Sequence, residues 1–426
     1  MRPYRFILFF LALLLAGCAT RTPIPRTLED VSSFLDQARP LPDTLQKRLY
    51  ANLLDHRYRV WQPSPSPFDR QKAEWAARFY PAKTTYAENR RRIPAETYRD
   101  WIDNARYDAL GSLNRPGITL YPTDLRLFPT RKPIFYDPDK PGEGYPFDYN
   151  QNSAVKAMTP LLVSHLSRDG AWAFVRTPFA EGWIGVRDIV LLDDDAVASL
   201  IGRPLVTLLP PRTPLYDPSG RFLYYAKNAT LLPLLHQQPE GFVVSLATVK
   251  GWQKARIPLS KAQAMPLPMN RQNIKRVARS LLNEPYGWGG LVSDRDCSAM
   301  TRDFFMPFGI WLPRNSKAQA KIGRVIDLSK LSPKQKERHI IKEGVPFQTL
   351  LYLPGHIMLY IGHKDGRAYA MHNTWGIRTK GGGRYIIGRA VISDLYLGDN
   401  LPEADKKALL IHRIQSMNIV TENVLQ

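Results

Sequence analysis

A proline-rich motif occurs twice in this chain of 426 residues. The first copy, LFPTRKPIFYDP, begins at Leu127, and the second, LLPPRTPLYDP, begins at Leu208. Each motif is followed by short runs of β-forming residues that end near a Gly-Trp pair. Short strands between frequent turns are typical of small β barrels, and a repeat of about 80 residues is long enough for one barrel. The repeat therefore predicts two tandem barrels, at 118–196 and 197–262. The alternative is two unrelated barrels that share a turn.

The regions on either side of the barrels have helical patterns. Apolar residues recur at helical spacing between Leu28 and Leu110, although the proline run QPSPSP interrupts them. We assign 27–117 to a helical N-terminal domain. The remaining residues, 263–426, combine a helix, a glycine-rich segment and a buried strand. The expected fold class is therefore multidomain α+β.

The chain begins MRPYRFILFFLALLLAGCAT. Arg2 and Arg5 precede an apolar run that is shorter than the ~20 residues of a membrane span, which predicts a secretory signal peptide at 1–17. The cut site, LAGC, resembles a bacterial lipobox, whose cysteine carries lipid and becomes the first residue of the mature chain. We therefore expect a lipidated Cys18, a tether at 18–26, and a position on the periplasmic face of the outer membrane, or on the cell surface of a bacterium with one membrane. The alternative is an ordinary signal peptide with a chance cysteine.

The chain carries a formal net charge of +21. Such an excess of Lys and Arg favours anionic partners, and an exported protein meets wall polymers and anionic lipids rather than nucleic acid. The alternative is that the charge serves only solubility. The chain has two cysteines and no Cys-x-x-Cys pair, so we expect neither a structural metal nor a cofactor. We expect a monomer.

The second cysteine, Cys297, follows the glycine-rich segment YGWGG and the polar residues SDRD. The segment CSAMTRDFFMPFG then predicts a helix whose first turn contains this cysteine. A helix N-terminus stabilises a thiolate, and its N–H groups can bind an oxyanion. These features indicate a nucleophile. The alternative is a buried, inert cysteine.

A cysteine nucleophile needs a general base, and two histidines are candidates. PGHIMLYIGH predicts a strand that begins near His356, and AYAMHNT predicts the returning strand with His372. A two-residue turn would place the two histidines on opposite faces of the hairpin, whereas a three-residue turn at 364–366 places them on the same face. We predict the three-residue turn, because Gly366 suits its left-handed third position. His356 is then the base and His372 orients it, unless His372 is only a polar residue of a half-exposed strand.

The motifs PYGWGG, DCS, LPRNSKAQAKIG, PGHIMLYIG and MHNTWG, between about 273 and 395, resemble those of NlpC-type cysteine peptidases. These papain-like enzymes cleave the stem peptides of peptidoglycan, and the two predicted barrels resemble bacterial SH3-like wall modules. The resemblance implies a papain-like α+β catalytic domain at 263–426 with the catalytic residues Cys297, His356 and His372. It also implies that the hydroxyl of Tyr286 lies near the oxyanion site.

The resemblance further implies a set of substrate-binding residues: Asp296, Ser298, Arg314, Asn315 and Ser316. Relatives often read Arg-Asp-Ser where this chain has Asn315, whose amide accepts a hydrogen bond but brings no charge. Trp172 of the first barrel is a further candidate for an aromatic contact, with a position in the barrel core as the alternative.

The implied function is a cell-wall cysteine endopeptidase. It would hydrolyse stem peptides at the bond between γ-D-glutamate and a diamino acid, through an acyl-enzyme. Two alternatives stay open: a non-catalytic wall-binding lipoprotein, and a thiol acyltransferase or amidase of the same fold.

Overall fold

The computed structural model describes residues 24–64 and 68–423. The expected signal peptide, Cys18 and most of the expected tether lie outside the described residues. Among the described residues, no helix is long and apolar enough to cross a membrane.

Short helices and 3-10 turns make up the N-terminal region. The helices are Asp43–Tyr58, Arg70–Ala73, Trp75–Phe79 and Ala95–Ala105, and the 3-10 turns are Ser32–Gln37, Arg59–Trp61, Tyr80–Ala82 and Tyr107–Ala109. Prolines set several of these limits, since Pro42 and Pro94 directly precede two of the helices. Phe34 and Leu49 are buried in the same apolar core as Met300, far along the chain. The N-terminal helices therefore pack against the C-terminal domain.

The first barrel contains β1 (Arg115–Thr119), β2 (Thr123–Arg126), β3 (Gln151–Val155), β4 (Pro160–Leu166), β5 (Trp172–Arg176), β6 (Glu181–Gly185) and β7 (Ile189–Leu191). These strands pair in the order β3-β2-β6-β5-β4-β1-β7. The helix Asp194–Leu200 and a 3-10 turn, Val186–Asp188, complete this region. Along β3, the buried Gln151, Ser153 and Val155 alternate with more exposed residues, as expected for a strand with one face in a core.

The second barrel contains β8 (Leu205–Leu208), β9 (Thr213–Tyr216), β10 (Phe222–Ala226), β11 (Leu231–Gln238), β12 (Gly241–Thr248), β13 (Gly251–Pro258) and β14 (Ala262–Ala264). One sheet has the order β13-β12-β11-β8-β14, and β9 and β10 form a separate hairpin. Both predicted regions of the repeat thus form small SH3-like β domains.

The C-terminal domain packs helices against an antiparallel sheet. Its strands are β15 (Arg324–Asp327), β16 (Thr349–Leu353), β17 (His356–Lys364), β18 (Arg367–Arg378), β19 (Arg384–Asp394) and β20 (Ser416–Ile419), in the order β15-β20-β16-β17-β18-β19. Its helices are Arg271–Arg279, Cys297–Phe305, Ser316–Gln319, Pro333–Glu343 and Leu410–Arg413, and its 3-10 turns are Trp288–Ser293, Met306–Phe308 and Lys406–Ala408.

The two faces of this sheet are covered by different helices. The helix Cys297–Phe305, called the Cys297 helix below, packs Met300 and Phe304 against Ile357 of β17. On the other face, Ile340 of the helix Pro333–Glu343 packs against Met358 and Tyr360. The helix Pro333–Glu343 thus closes the far side of the sheet.

The turn between β17 and β18 differs from the predicted one. Lys364 pairs with Arg367, so the turn contains two residues, Asp365 and Gly366. Both have left-handed backbone angles, with φ of 52° and 73°, as a two-residue type I′ hairpin requires. The prediction of a three-residue turn was wrong.

A β-bulge in β17 nevertheless gives the strand register that we predicted from a three-residue turn. The pairing of β17 with β18 shifts around Ile361, which has no partner, so that Leu359 lies opposite Met371. One extra residue on one strand turns every later side chain to the other face. Because of the bulge, His356 and His372 share a face in spite of the shorter turn.

A buried ionic network joins both barrels to the C-terminal domain. At its centre, the guanidinium of Arg295 donates to Asp303 (2.7 Å) and Glu284 (2.9 Å). Asp303 also pairs with Lys156 of the first barrel, and Arg295 also contacts the amide oxygen of Asn228 in the second barrel. The side chain of Arg295 is only 3% exposed. The relative position of the domains therefore depends on charges that water does not screen.

Candidate active site

Cys297 is the first residue of its helix, as predicted. Asp296 is the N-cap, and its carboxylate accepts a hydrogen bond from the N–H of Ala299 (2.8 Å). The N–H groups of Ile357 and Ser298 interact with the thiol and favour its ionised form. The sulfur therefore lies between the start of the helix and the first residues of β17.

Burial nevertheless dominates the charge state of the thiol. It raises the pKa of Cys297 to about 12, and the Asp296 carboxylate acts in the same direction. The N–H groups of Ile357 and Ser298 and the charge of Arg314 oppose this rise without overcoming it. Burial thus favours the neutral thiol, whereas the N–H groups of Ile357 and Ser298 favour the thiolate that the sequence predicts.

A hydrogen-bonded series of side chains orients His356. Its Nε2 lies 2.9 Å from Nδ1 of His372, whose Nε2 lies 3.2 Å from the hydroxyl of Ser393. The Ser393 hydroxyl donates to the carbonyl oxygen of Asp394 (2.8 Å), so it has to accept from His372. His372 then accepts from Nε2–H of His356. The series assigns the tautomer that leaves Nδ1 of His356 without a proton.

Both imidazoles are held in the neutral state. Burial, and then the charge of Arg413, lower the pKa of His356 to about 4. Burial, and then the neighbouring charge of His356, hold the pKa of His372 well below its usual range. A neutral imidazole with a proton-free nitrogen can act as a base, and the strand that carries it contacts the thiol through the N–H of Ile357.

Tyr286 lies close to the thiol. Burial raises its pKa well above the usual range, and negative charge on Cys297 or Asp296 would raise it further. The phenol therefore keeps its proton, which it can donate to an oxyanion. Its ring is 5.9 Å from that of Trp375, centroid to centroid.

A buried arginine connects the flanks of the cysteine to the first barrel. Arg314 donates to both oxygens of Asp296 (2.7 and 3.1 Å) and to the hydroxyl of Ser298 (2.9 Å). Its Nε donates to the hydroxyl of Ser153 on β3 (2.7 Å). Burial acts to raise the pKa of Asp296, but the ion pair with Arg314 holds it below its usual value. The carboxylate is thus permanently charged, and most of its hydrogen-bonding capacity is used within the protein.

The model of the NlpC/P60 family matches residues 283–381, which include Cys297, His356 and His372. The C-terminal domain is an NlpC/P60 domain. Residues 7–109 match the N-terminal stabilising domain that accompanies this family, and 133–185 match an SH3 domain of the SH3b1 type.

A solved NlpC/P60 endopeptidase from Photobacterium damselae subsp. piscicida has the same fold. It superposes with a TM-score of 0.82 and 21% identity, over 94% of this chain and 99% of its own. Two proteins from Corynebacterium glutamicum, both described as probable endopeptidases, are 37% identical over 75 and 78 residues. These segments are 17% and 18% of this chain, and 36% and 37% of the two relatives. The match therefore spans little more than a third of each curated relative.

The first barrel supplies an aromatic side chain to the NlpC/P60 domain that sequence reasoning missed. Phe147 lies 5.2 Å from Trp288, 5.6 Å from Trp375 and 6.2 Å from Tyr286, between ring centroids. Its segment, GYPFDYN, lies between β2 and β3 and has no pattern that indicates a binding role. Aromatic contacts from the first barrel are therefore made by Phe147 and also by Tyr149, whose ring centroid lies 5.4 Å from that of Trp288.

Trp172, which we predicted as an aromatic contact for the substrate, lies away from the NlpC/P60 domain. It packs beside Phe174 and Trp183 in a cluster that the first barrel shares with Phe68 of the N-terminal region. This position agrees with the alternative of a place in the barrel core, and a substrate contact by Trp172 stays a prediction. Its alternating position on β5 directs it to the N-terminal helices, away from the NlpC/P60 domain.

Asn315 and Ser316 begin a short helix. The side chain of Asn315 is exposed and caps this helix by accepting a hydrogen bond from the N–H of Ala318 (2.8 Å). An Asp would cap this helix equally well, so the cap does not explain why the residue is uncharged. Ser316 is the first residue of the helix. Within residues 24–64 and 68–423, no cluster of His, Cys, Asp and Glu could hold a metal ion.

Proposed function

We propose that this protein is a cysteine endopeptidase that hydrolyses the stem peptides of peptidoglycan. One observation carries the proposal: the series Ser393, His372 and His356 leaves a proton-free nitrogen on an imidazole whose strand begins beside Cys297. Such a pairing of thiol, imidazole and orienting group is the arrangement of a nucleophile with its base. The family match and the relatives described as probable endopeptidases support the same reading.

The reaction proceeds in two halves. The sulfur of Cys297 attacks the scissile carbonyl carbon, and its proton passes to Nδ1 of His356. The tetrahedral oxyanion is stabilised by the hydroxyl of Tyr286 and the N–H groups at the start of the helix. His356 then gives its proton to the leaving amine, which leaves a thioester on the cysteine. A water molecule attacks the thioester while His356 takes its proton, and the acid and the free thiol are released.

The charge next to the base suits an anionic peptide. Arg378 and Arg384 lie directly opposite each other on β18 and β19, and only Arg378 has a nearby carboxylate, Asp405 at 3.7 Å, in the described part of the chain. Arg413 donates to the carbonyl oxygen of Pro354, two residues before His356. Stem peptides carry free carboxylates that such a group of arginines attracts. These charges favour cleavage between γ-D-glutamate and a diamino acid, where carboxylates lie on both sides of the bond.

Mass spectrometry of digested peptidoglycan tests the proposed function. Wild-type protein should convert intact stem peptides into two products, one of which has a new amino terminus at the diamino acid. Release of the entire stem from the sugar would instead indicate an amidase, and products with a new acyl group would indicate an acyltransferase. Binding to the wall without turnover would favour the non-catalytic alternative.

Ser393 is predicted to position the base. Ser393→Ala should lower kcat roughly tenfold with little change in KM, because one hydrogen bond that fixes the His372 tautomer is lost. Ser393→Thr keeps the hydroxyl and should restore most of the rate. Steady-state kinetics on a soluble stem peptide gives both constants.

Ser164→Ala is the matched control, because Ser164 is also buried and also bonds a histidine, His165 (3.0 Å), but in the first barrel. It should leave kcat unchanged. An equal loss of kcat in both alanine variants would show that Ser393 acts through general stability.

The rate should persist in acid. The base must be neutral, and because the pKa of His356 is lowered to about 4, kcat/KM should fall as pH drops through about 4 rather than through 6.5. Arg413→Gln removes a nearby positive charge and should move this acid limb to higher pH. The pH profile of kcat/KM measures both. An acid limb near pH 6.5 in wild type would contradict the proposed environment of the base.

The same histidines make the fold sensitive to acid. Their folded pKa values lie below the unfolded value, so the unfolded chain binds more protons between pH 6.5 and about 4, and stability falls as pH falls through that window. Circular dichroism at each pH separates loss of fold from protonation of the base.

We also propose that a lipid on Cys18 holds the enzyme at the periplasmic face of the outer membrane. The sequence pattern of residues 1–18 supports this, and the position would keep a stem-peptide hydrolase beside its substrate. Labelling of the intact protein with a radioactive fatty acid should be lost in Cys18→Ser. Equal labelling of wild type and variant would refute the lipid site.

A further inference from the structure

A cavity of about 460 Å³ lies between both barrels, the helix Asp43–Tyr58 and the NlpC/P60 domain. Cys297, His356 and His372 do not line it. Its NlpC/P60 wall includes Ala299 and Arg302 of the Cys297 helix, and Met306 of the turn that follows this helix. The volume is that of a site for a small organic ligand. The cavity is therefore separate from the catalytic residues, although it shares a helix with them.

The acidic side chains around the cavity are all paired. Glu284 pairs with Lys227 and Arg295, Asp294 with Lys227, and Asp303 with Lys156 and Arg295. The charges of Lys156, Lys227 and Arg295, which also border the cavity, are therefore balanced by these carboxylates. Arg314, which also borders the cavity, is paired with Asp296.

Three further arginines border the cavity: Arg57, Arg212 and Arg302. Among residues 24–64 and 68–423, none of the three has a carboxylate within salt-bridge distance. The cavity thus carries an excess of positive charge from three guanidinium groups.

Two of these arginines have buried nitrogen atoms without hydrogen-bond partners in the described part of the chain: Nε of Arg57 and Nε of Arg302. Burial lowers the pKa of Arg302 to about 10, so its guanidinium stays charged. A buried charge that makes no ion pair costs stability, and an oxyanion would offset the cost.

Aromatic faces hold two of the guanidiniums in place. Arg302 lies 4.2 Å from the ring centroid of Phe179 in the first barrel, and Arg212 lies 3.5 Å from that of Tyr225 in the second. Stacking leaves the edge of a guanidinium free to bind an oxyanion in bidentate geometry. The rings also give the cavity apolar walls.

We propose that this cavity binds a small organic anion that carries two or more oxyanion groups, either carboxylates or phosphates. Arg57, Arg212 and Arg302 bind the oxyanions, and Phe179 and Tyr225 pack against the body of the ligand. Because the ligand contacts both barrels and the Cys297 helix, it also fixes the barrels against the NlpC/P60 domain. The proposal does not depend on the peptidase activity.

Calorimetric titration of the full chain with citrate and with pyrophosphate, at constant ionic strength, tests the site. We expect saturable binding of at least one probe with one site per chain. A preference for citrate identifies carboxylates as the natural groups, and a preference for pyrophosphate identifies phosphates. Arg302→Gln and Arg212→Gln should each weaken binding at least tenfold, since each removes a charged hydrogen-bond donor.

Arg256→Gln is the control, because Arg256 is an exposed arginine on β13 that does not border the cavity. It should bind both probes like wild type. If Arg302→Gln does not fold, the test depends on Arg212→Gln, because the Arg212 side chain is exposed at the rim of the cavity. The proposal is overturned if neither probe shows saturable binding, or if Arg256→Gln weakens binding as much as the cavity variants do.

Discussion

Cys297→Ala should lower kcat/KM for stem-peptide hydrolysis by roughly 10⁴-fold or more, because removal of the attacking nucleophile reduces the rate of such enzymes by this order of magnitude. The sulfur is the proposed attacking atom, and no neighbouring side chain can replace it: Asp296 and Ser298 are both bound to Arg314. The substitution removes one buried atom, so the cost in stability should be about 1 kcal/mol. The rate of release of new amino groups from purified peptidoglycan measures the loss.

Cys18→Ala provides a matched control for this variant, because it removes the only other cysteine of the chain. It should keep the full rate on soluble peptide, and a thiol-alkylating reagent should inactivate it as it inactivates wild type. Cys297→Ser should retain only a trace of activity, because a hydroxyl is a weaker nucleophile than sulfur. Equal rates for wild type and Cys297→Ala would exclude the thiol mechanism.

Local sequence rules were sufficient for the position of the nucleophile. A capping Asp before a run of helix-forming residues is a signal contained within a few positions, and the helix begins at Cys297 as that signal indicates. The two barrels were likewise predictable from a repeat whose turns depend only on nearby proline, glycine and aspartate.

The register of the histidine hairpin could not be predicted from nearby residues. The bulge around Ile361 is held by Gln37, whose side-chain amide donates to the carbonyl oxygen of His363 (2.7 Å) and accepts from its N–H (3.0 Å). Gly362 has a φ of 131°, and a Cβ there would lie 2.8 Å from the Gln37 side chain. The bulge that aligns the two histidines thus depends on contacts with the distant N-terminal region, which no hairpin rule contains.

Contacts between domains were missed for the same reason. Phe147 reaches the NlpC/P60 domain because the first barrel is fixed beside it by the contacts of Ser153 with Arg314 and of Lys156 with Asp303. Ser393 is adjacent to His372 only in the folded β18–β19 pair, and a lone serine on a strand carries no pattern. Most predictions from one segment alone were accurate, with the turn at Asp365 and Gly366 as an exception, whereas contacts between distant segments were missed.

The network around Arg295 leads to the largest expected effect on stability. Arg295→Met should destabilise the protein by about 3–5 kcal/mol, because removal of one partner leaves buried charges uncompensated. Asp303 would keep only Lys156, and the pKa of Asp303, now held at about 2 in spite of burial, would rise. Asn228 would lose its guanidinium partner, which weakens the attachment of the second barrel. Urea unfolding, monitored by tryptophan fluorescence, measures the change in the free energy of the first unfolding transition.

Arg279→Met isolates the effect of burial. Arg279 also forms an ion pair, with Asp30 at 2.9 Å, but the two side chains are 58% and 36% exposed. Solvent screens such a pair, so its loss should cost less than about 1 kcal/mol. If both variants lose the same small amount of unfolding free energy, the Arg295 network contributes no more to stability than a surface ion pair does. Apolar packing would then have to hold the barrels to the NlpC/P60 domain. If Arg295→Met unfolds first at the second barrel, the network is what couples that barrel to the helix of the nucleophile.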